Sequence, residues 1–274
     1  MRKGARQFFR IETRLDQMFK SSTRRLVALL PAIGLVIGTG ASVRAADINV
    51  LSASALKVIV TELSEKFRKE SGHTIDLEFA TAGAVEKRIL AGETPDVFIA
   101  TDVQMKGIAE KGLTKGVSVI IARVGLGIAV KEGAPKPDIS NVKALKETLL
   151  AAKSVTYPDP AKGGASGIHF ASVIDKLGIA EPIKAKSILG ANPDLVCVSV
   201  AKGEAAMCVH QISEIVAVKG VTLLGPLPGE VQKITTFAVA ASAKASSPDT
   251  ARAFARFVAR ADLKAKLSAA GFSY

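Results

Sequence analysis

Residues 154–170, SVTYPDPAKGGASGIHF, run from a short apolar strand through a proline-bounded turn and a glycine-rich loop into a helix. Ser166 is placed to cap that helix, Gly167 lets a ligand come close to the backbone, and Ile168, Ala171, Ile174 and Leu177 form an apolar stripe. The first turn of such a helix presents free N–H groups, which together with the helix dipole favour an anion in front of it. Glycines in a turn of this kind also serve backbone geometry alone. The anion reading therefore gains its weight from repetition along the chain.

Two earlier stretches repeat the pattern. Ile48–Leu51 reads as a strand, Ser52–Ala55 as a turn, and Leu56, Ile59, Val60, Leu63 and Phe67 as one face of a helix that Gly72 ends. Ile75, Leu77 and Phe79 alternate with Asp76 and Glu78 as in a strand with one wetter face. A small-residue turn, Ala80–Ala84, then opens a helix carrying Val85, Ile89 and Leu90. In TPDVFIATD the continuous apolar run predicts a buried strand followed by a third helix. Three such units in series predict a parallel sheet with helical cover. In that arrangement ligands sit at the C-terminal ends of the strands, where the turns at 52–55, 80–84 and 158–167 would converge.

Further on, GVSVIIARVGLGIAV (116–130) is β-rich, and KEGAPKPDIS breaks the pattern where the chain passes to a second lobe. A helix is expected over 141–153. The segment EPIKAKSILGANPDL reads as a short strand with loops, residues 195–203 as a helix with a strand as the alternative, and AAMCVHQ as a strand. A short helix, two strands and two alanine-rich helices (250–258 and 263–270) complete the chain. With 274 residues, no tryptophan and abundant small aliphatic side chains, a two-lobed α/β protein is expected.

The net charge of +12 is unevenly spread: residues 1–45 hold nine basic and two acidic side chains, leaving only +5 on the rest. No dense basic cluster interleaved with aromatics appears, which argues against a nucleic-acid partner. The basic front precedes LVALLPAIGLVIGTGASV and the small-residue site VRAAD, which together read as a cleaved export signal over 1–46. A start at Met18 would give that signal an ordinary length. The two cysteines, Cys197 and Cys208, are free to pair or to sit apart as small buried groups; the sequence leaves both open. His73, His169 and His210 show no metal-ligand spacing, so neither a metal nor a cofactor is expected.

INVLSASALKVIVTELSEKFRKESG, LEFATAGAVEKRILAGETPDVFIATD and YPDPAKGGASGIHFASVIDKLGI, in that order behind an export signal, resemble the periplasmic molybdate-binding family of ABC importers. More broadly the chain is similar to type II periplasmic solute-binding proteins. The resemblance implies two α/β lobes joined by two crossover strands, with a ligand cleft between them. It implies lobe I over 47–125 plus 237–274 and lobe II over 126–236. It also implies a monomeric receptor in the periplasm that serves an ABC permease and binds molybdate or tungstate. The family's binding positions fall on Ala55, Ala82, Ser166 with Gly167 and Ile168, and Gln211. Three of these depart from the family pattern, because two hydroxyls and a phenol are replaced by Ala55, Ala82 and Gln211. Ser54 and Thr81 lie one residue away from the lost hydroxyls, and Gly83 adds a backbone donor.

Arg123, at the start of the crossover, is of a kind that grips carboxylates bidentately. Gln211 both donates and accepts, which suits a small organic acid. A di- or tricarboxylate thus stands beside the oxyanion as the expected ligand. The expected role is binding rather than catalysis. A secreted hydrolase using Ser166 or Cys208 with His210 ranks behind, since the sequence shows neither a nucleophile elbow nor an acid partner.

Overall fold

The computed structural model describes residues 47–273; the export signal and the alternative start read from the sequence lie outside them. The chain begins β1 (Asp47–Ala53), α1 (Lys57–Ser71), β2 (Thr74–Ala80), α2 (Ala82–Leu90), β3 (Val97–Thr101), α3 (Asp102–Glu110) and β4 (Thr114–Val124). It continues as β5 (Leu126–Lys131), α4 (Val142–Ala151), β6 (Val155–Pro158), α5 (Ala165–Lys176), α6 (Ala180–Lys184), β7 (Ser187–Gly190), α7 (Val196–Lys202), β8 (Met207–Gln211), α8 (Ile212–Val216) and β9 (Val221–Pro226). It ends with β10 (Thr235–Ser242), α9 (Pro248–Val258) and α10 (Lys264–Ala269).

The strands form two five-stranded sheets, ordered β2-β1-β3-β10-β4 and β7-β6-β8-β5-β9. The three opening βα units do pair in parallel, β1 lying between β2 and β3. β10 then enters antiparallel between β3 and β4, so the first sheet is mixed rather than wholly parallel. In the second sheet β6 runs parallel to β7 and β8, while β5 is antiparallel to β8 and β9. The result is an α/β protein of two lobes.

The β-rich stretch 116–130 is therefore two strands in two different sheets, broken at Gly125. The chain returns to the first sheet through residues 227–234. Gln232 ties the two passages together, accepting from the Leu126 amide at 2.9 Å and donating to the Leu126 carbonyl at 2.8 Å.

Each lobe has its own core. In the first, α1 and α9 meet through Phe67, whose ring packs edge-on to Phe254 and Phe257 at 5.3 and 5.2 Å. In the second, Tyr157 of β6 packs edge-on to Phe170 of α5 at 4.9 Å. Asp96, in the segment GETPDVFIATD, is buried and ties the entry to β3 to β1 and to the segment between β10 and α9. Its carboxylate accepts from the amide of Asn49 at 2.8 Å and from the amide and hydroxyl of Ser246 at 2.5 and 2.8 Å. A buried carboxylate is tolerable only when its lone pairs are satisfied in this way.

Three local expectations are corrected. α5 starts at Ala165 with Gly164 as its N-cap, so Ser166 lies inside the first turn rather than capping it. Ile168 is 51% exposed, and the buried stripe is instead Phe170, Val173, Ile174 and Leu177. α6 occupies part of a segment expected to be strand and loop, whereas the helix read over 195–203 is present as α7. Cys197 of α7 and Cys208 of β8 are joined by a disulfide, with Cα atoms 5.4 Å apart.

Candidate functional site

A small cavity lies between the lobes, at the C-terminal ends of β1, β6 and β8. Three strand-to-helix turns supply most of its wall. Ser54 and Ala55 come from the 3-10 turn that runs into α1, Thr81 and Ala82 from the start of α2, and Gly164, Ala165 and Ser166 from the start of α5. At each turn the residue before the helical segment is extended (Ala53, Thr81 and Gly164); the first two follow their strands directly, whereas a glycine-rich loop with a 3-10 turn separates β6 from α5. The first-turn amides of a helix have no partner within it. Three sets of such donors, each with the positive end of a helix behind it, thus border one space. Per helix this favours a negative guest by about 0.3–1 kcal/mol, and by up to about 2 when desolvated.

Small side chains keep that space open, and in two places the backbone demands glycine. A Cβ on Gly167 would lie 2.1 Å from the carbonyl oxygen of Pro158, so α5 can approach β6 this closely only with glycine there. Gly163, at φ +75°, faces Gly83 across the cleft.

The fourth side of the cavity differs from the other three. Here β8 ends in His210 and Gln211, and Glu214 follows from α8. His210 and Gln211 are only 2% and 3% exposed, yet His210 Nε2 and Gln211 Oε1 have no hydrogen-bond partner. His210 Nδ1 lies 2.9 Å from Glu214 Oε2 and also 2.8 Å from the amide nitrogen of Gln211. One nitrogen cannot donate to the carboxylate and accept from the amide together. The charge-assisted bond is the stronger, which places a proton on Nδ1 and leaves Nε2 without a partner. Among the described residues no lysine or arginine lines this space, and His210 and Glu214 are the titratable side chains in its wall.

The lobes are clasped around the cavity. Thr81 Oγ1 accepts from the Ala84 amide as the cap of α2 and donates to the Lys162 carbonyl of the other lobe at 2.9 Å. Ser213 Oγ donates to the Ala55 carbonyl at 3.1 Å. Lys57 and Asp194 pair across the cleft mouth at 2.5 Å, both about half exposed.

Of the residues singled out from the sequence, Ser54, Ala55, Thr81, Ala82, Ser166 and Gln211 line this one cavity. Gly83 instead packs on Gly163, and Gly167 lies beneath, against Pro158. The Ile168 amide is spent on the Gly164 carbonyl at 3.1 Å, so it offers no donor to a guest. Arg123 is not brought here. Its amide and carbonyl pair with Ser273 at 2.8 and 2.7 Å, and it stands opposite Thr236 in the sheet, whereas the next residue of β10, Phe237, reaches the cavity. Neighbouring strand residues point to opposite faces, which turns the Arg123–Thr236 pair away. His169 is held by Nε2 donating to the Val231 carbonyl at 2.8 Å. Cys208 is consumed by its disulfide, and Nε2 of His210 makes no bond to Ser166, so neither nucleophile expected of a hydrolase is activated. Sequence reasoning treated His210 as packing and passed over Glu214; the His-x3-Glu spacing across a strand-to-helix junction was the available signal.

Comparison with known proteins agrees with this geometry. A family model described as bacterial extracellular solute-binding protein matches residues 48–273. An aconitate isomerase from a Pseudomonas species is 31% identical over 223 residues, covering 78% of this chain and 83% of that protein. The molybdate-binding protein ModA of Escherichia coli is 24% identical over 214 residues, covering 76% and 82%. Among solved structures, the periplasmic molybdate-binding protein of Azotobacter vinelandii superposes with a TM-score of 0.69 at 16% identity, covering 83% of this chain and 99% of that one.

Proposed function

The chain belongs to the bacterial extracellular solute-binding protein family, and from that premise we propose that it is a periplasmic receptor whose lobes close on a small di- or tricarboxylate and present it to an ABC permease. The observation that carries this reading is an inter-lobe cavity bordered by three helix starts and by two residues with buried polar atoms that lack partners, His210 and Gln211. Ligand contacts from both lobes stabilise the closed state over the open one, and only that difference shifts the population towards closure.

A carboxylate is favoured over molybdate by what stands in the wall. Ala55 and Ala82 offer no hydroxyl and the Thr81 proton is committed to Lys162, so the polar side chains left in the wall are the Ser54 and Ser166 hydroxyls, the His210 imidazole, the Gln211 carboxamide and the Glu214 carboxylate. A site that selects by hydrogen bonding discriminates strongly when those bonds are missing. The 31% identical relative is named for an enzyme of a tricarboxylate, which supports the same ligand class. Removal on export of the signal that ends at residue 46, whether translation starts at Met1 or at Met18, belongs to this reading. The Cys197–Cys208 disulfide suits an oxidising compartment.

The test is a thermal-shift panel on the purified protein with molybdate, tungstate, sulfate, phosphate and small di- and tricarboxylates. A ligand at a hundred times its dissociation constant adds about 2.7 kcal/mol of stability. A melting-point rise with one or more carboxylates and none with molybdate supports the reading. A rise with molybdate alone overturns it in favour of the oxyanion.

A further inference from the structure

We propose that the cleft also moves protons on carbon: His210, positioned by Glu214, shifts the double bond of a bound unsaturated polycarboxylate and so interconverts its cis and trans forms. This rests on the carboxylate reading above and adds turnover to it.

The starting observation is an unspent nitrogen. Buried polar atoms in folded proteins are nearly always paired, yet Nε2 of His210, a residue of the cavity wall, is enclosed and has no hydrogen-bond partner. The arrangement behind it is unsuited to simple anion binding. Glu214 Oε2 lies 2.9 Å from Nδ1, which brings a negative charge into the wall of a pocket otherwise built to attract one. That carboxylate has a use if the imidazole must be fixed with its proton on Nδ1 and balanced in charge whenever Nε2 takes a second proton. The carboxamide of Gln211 stands beside it, also without a partner at Oε1. Across the cavity, the free amides at the starts of α2 and α5 face where negative charge would develop.

The step balances without a co-reactant. Neutral Nε2 removes a proton from a methylene carbon that lies between a carboxylate and the C=C bond. The electron pair of that C–H bond becomes the new C=C bond. The old π pair moves onto the far carbon and its carboxylate as a dienolate, which the helix-start amides hold. The imidazolium then returns its proton from Nε2 to the far carbon, and His210 ends neutral. Rotation about the bond that is transiently single allows the product to leave as the other geometric isomer. No oxidant, reductant or metal is consumed.

The experiment incubates the purified full chain with cis-aconitate in deuterium oxide and follows the ligand by proton NMR, with its melting-point shift recorded alongside. The expected result is appearance of the trans isomer with deuterium entering the methylene position. His210→Gln lowers both rates by at least about a hundredfold while cis-aconitate still raises the melting point. Glu214→Gln lowers kcat about tenfold or more with KM within about threefold, and Glu214→Asp recovers part of it, as expected of a group that acts through the imidazole. Should His210→Gln fail to fold, the kcat and KM of the Glu214 pair decide. A melting-point shift with neither isomer nor deuterium overturns the activity and leaves the receptor reading standing. Absence of a shift with any carboxylate overturns both. Turnover unchanged in His210→Gln, or in both Glu214 variants, assigns the proton transfer elsewhere and overturns this inference.

Discussion

The two walls of the cleft are built on different principles. The wall from the first lobe is almost all backbone: Ser54, Ala55, Thr81 and Ala82 start helices, and the Thr81 hydroxyl is occupied in capping α2 and holding the opposite lobe. The wall from the second lobe adds side chains with unspent capacity, His210 and Gln211, backed by Glu214. The difference teaches where generality and discrimination reside. Helix starts attract any small anion, whereas an imidazole and a carboxamide select among anions by hydrogen bonding and supply chemistry.

The second wall depends on tight packing, and this gives the largest expected effect. Gly167→Ala places a methyl 2.1 Å from the Pro158 carbonyl, so α5 must move off β6; a stability loss of about 3 kcal/mol or more is expected in urea denaturation. The matching change in the first wall, Gly83→Ala, meets the Gly163 carbonyl at 3.0 Å across the cleft. It should leave unfolding nearly unchanged and weaken ligand binding instead. Equal stability losses from both would break the contrast.

Next is the disulfide, which fixes α7 behind the strand carrying His210. For a loop with a sequence separation of 11, chain-entropy arguments give about 3 kcal/mol. Replacing Cys197 and Cys208 together by serine should cost that much or somewhat less, measured by the same denaturation series.

The comparison sharpens with binding. Gln211→Ala should weaken the preferred carboxylate about 10- to 100-fold by calorimetry, in keeping with the loss of a hydrogen bond to a charged group, while Ser54→Ala changes affinity less than about threefold. Thr81→Val removes the bond to Lys162 and a helix cap, and should weaken binding a few-fold by disfavouring closure. The smallest effect is expected from Arg88→Ala, remote from either wall. Arg88 pairs with Glu78 and Glu93 at the surface and holds the Glu78 carboxyl below its usual range. A group depressed in this way stabilises above its unfolded pKa and ceases to do so as pH falls through the lowered value. Since Glu78 is largely exposed, the loss at neutral pH should be under about 1 kcal/mol and should shrink in acid and in salt.

The first wall was legible in the sequence because its information is local. A strand pattern, a small-residue turn and an amphipathic helix suffice to predict a helix start, and three of them in order predicted the fold. The second wall was less legible. Gln211 was found through family resemblance, whereas His210 and Glu214 carry meaning only once β8 and α8 place them four residues apart at the cavity edge. Arg123 misled for the converse reason. Its chemistry suits a carboxylate, but strand alternation, which short-range reasoning did not follow through Gly125, turns it to the other face of the sheet. The Gly164 cap of α5 escaped notice because a serine two residues later matched the usual capping preference.

The most direct test is a crystal structure of the protein with a tricarboxylate such as cis-aconitate or its trans isomer. The account predicts carboxylate oxygens about 3 Å from the first-turn amides of α2 and α5, with the Gln211 carboxamide nitrogen donating to the guest and His210 Nε2 against its methylene carbon. A tricarboxylate seated outside the inter-lobe cavity, or inside it with His210 Nε2 away from that carbon, would contradict the account.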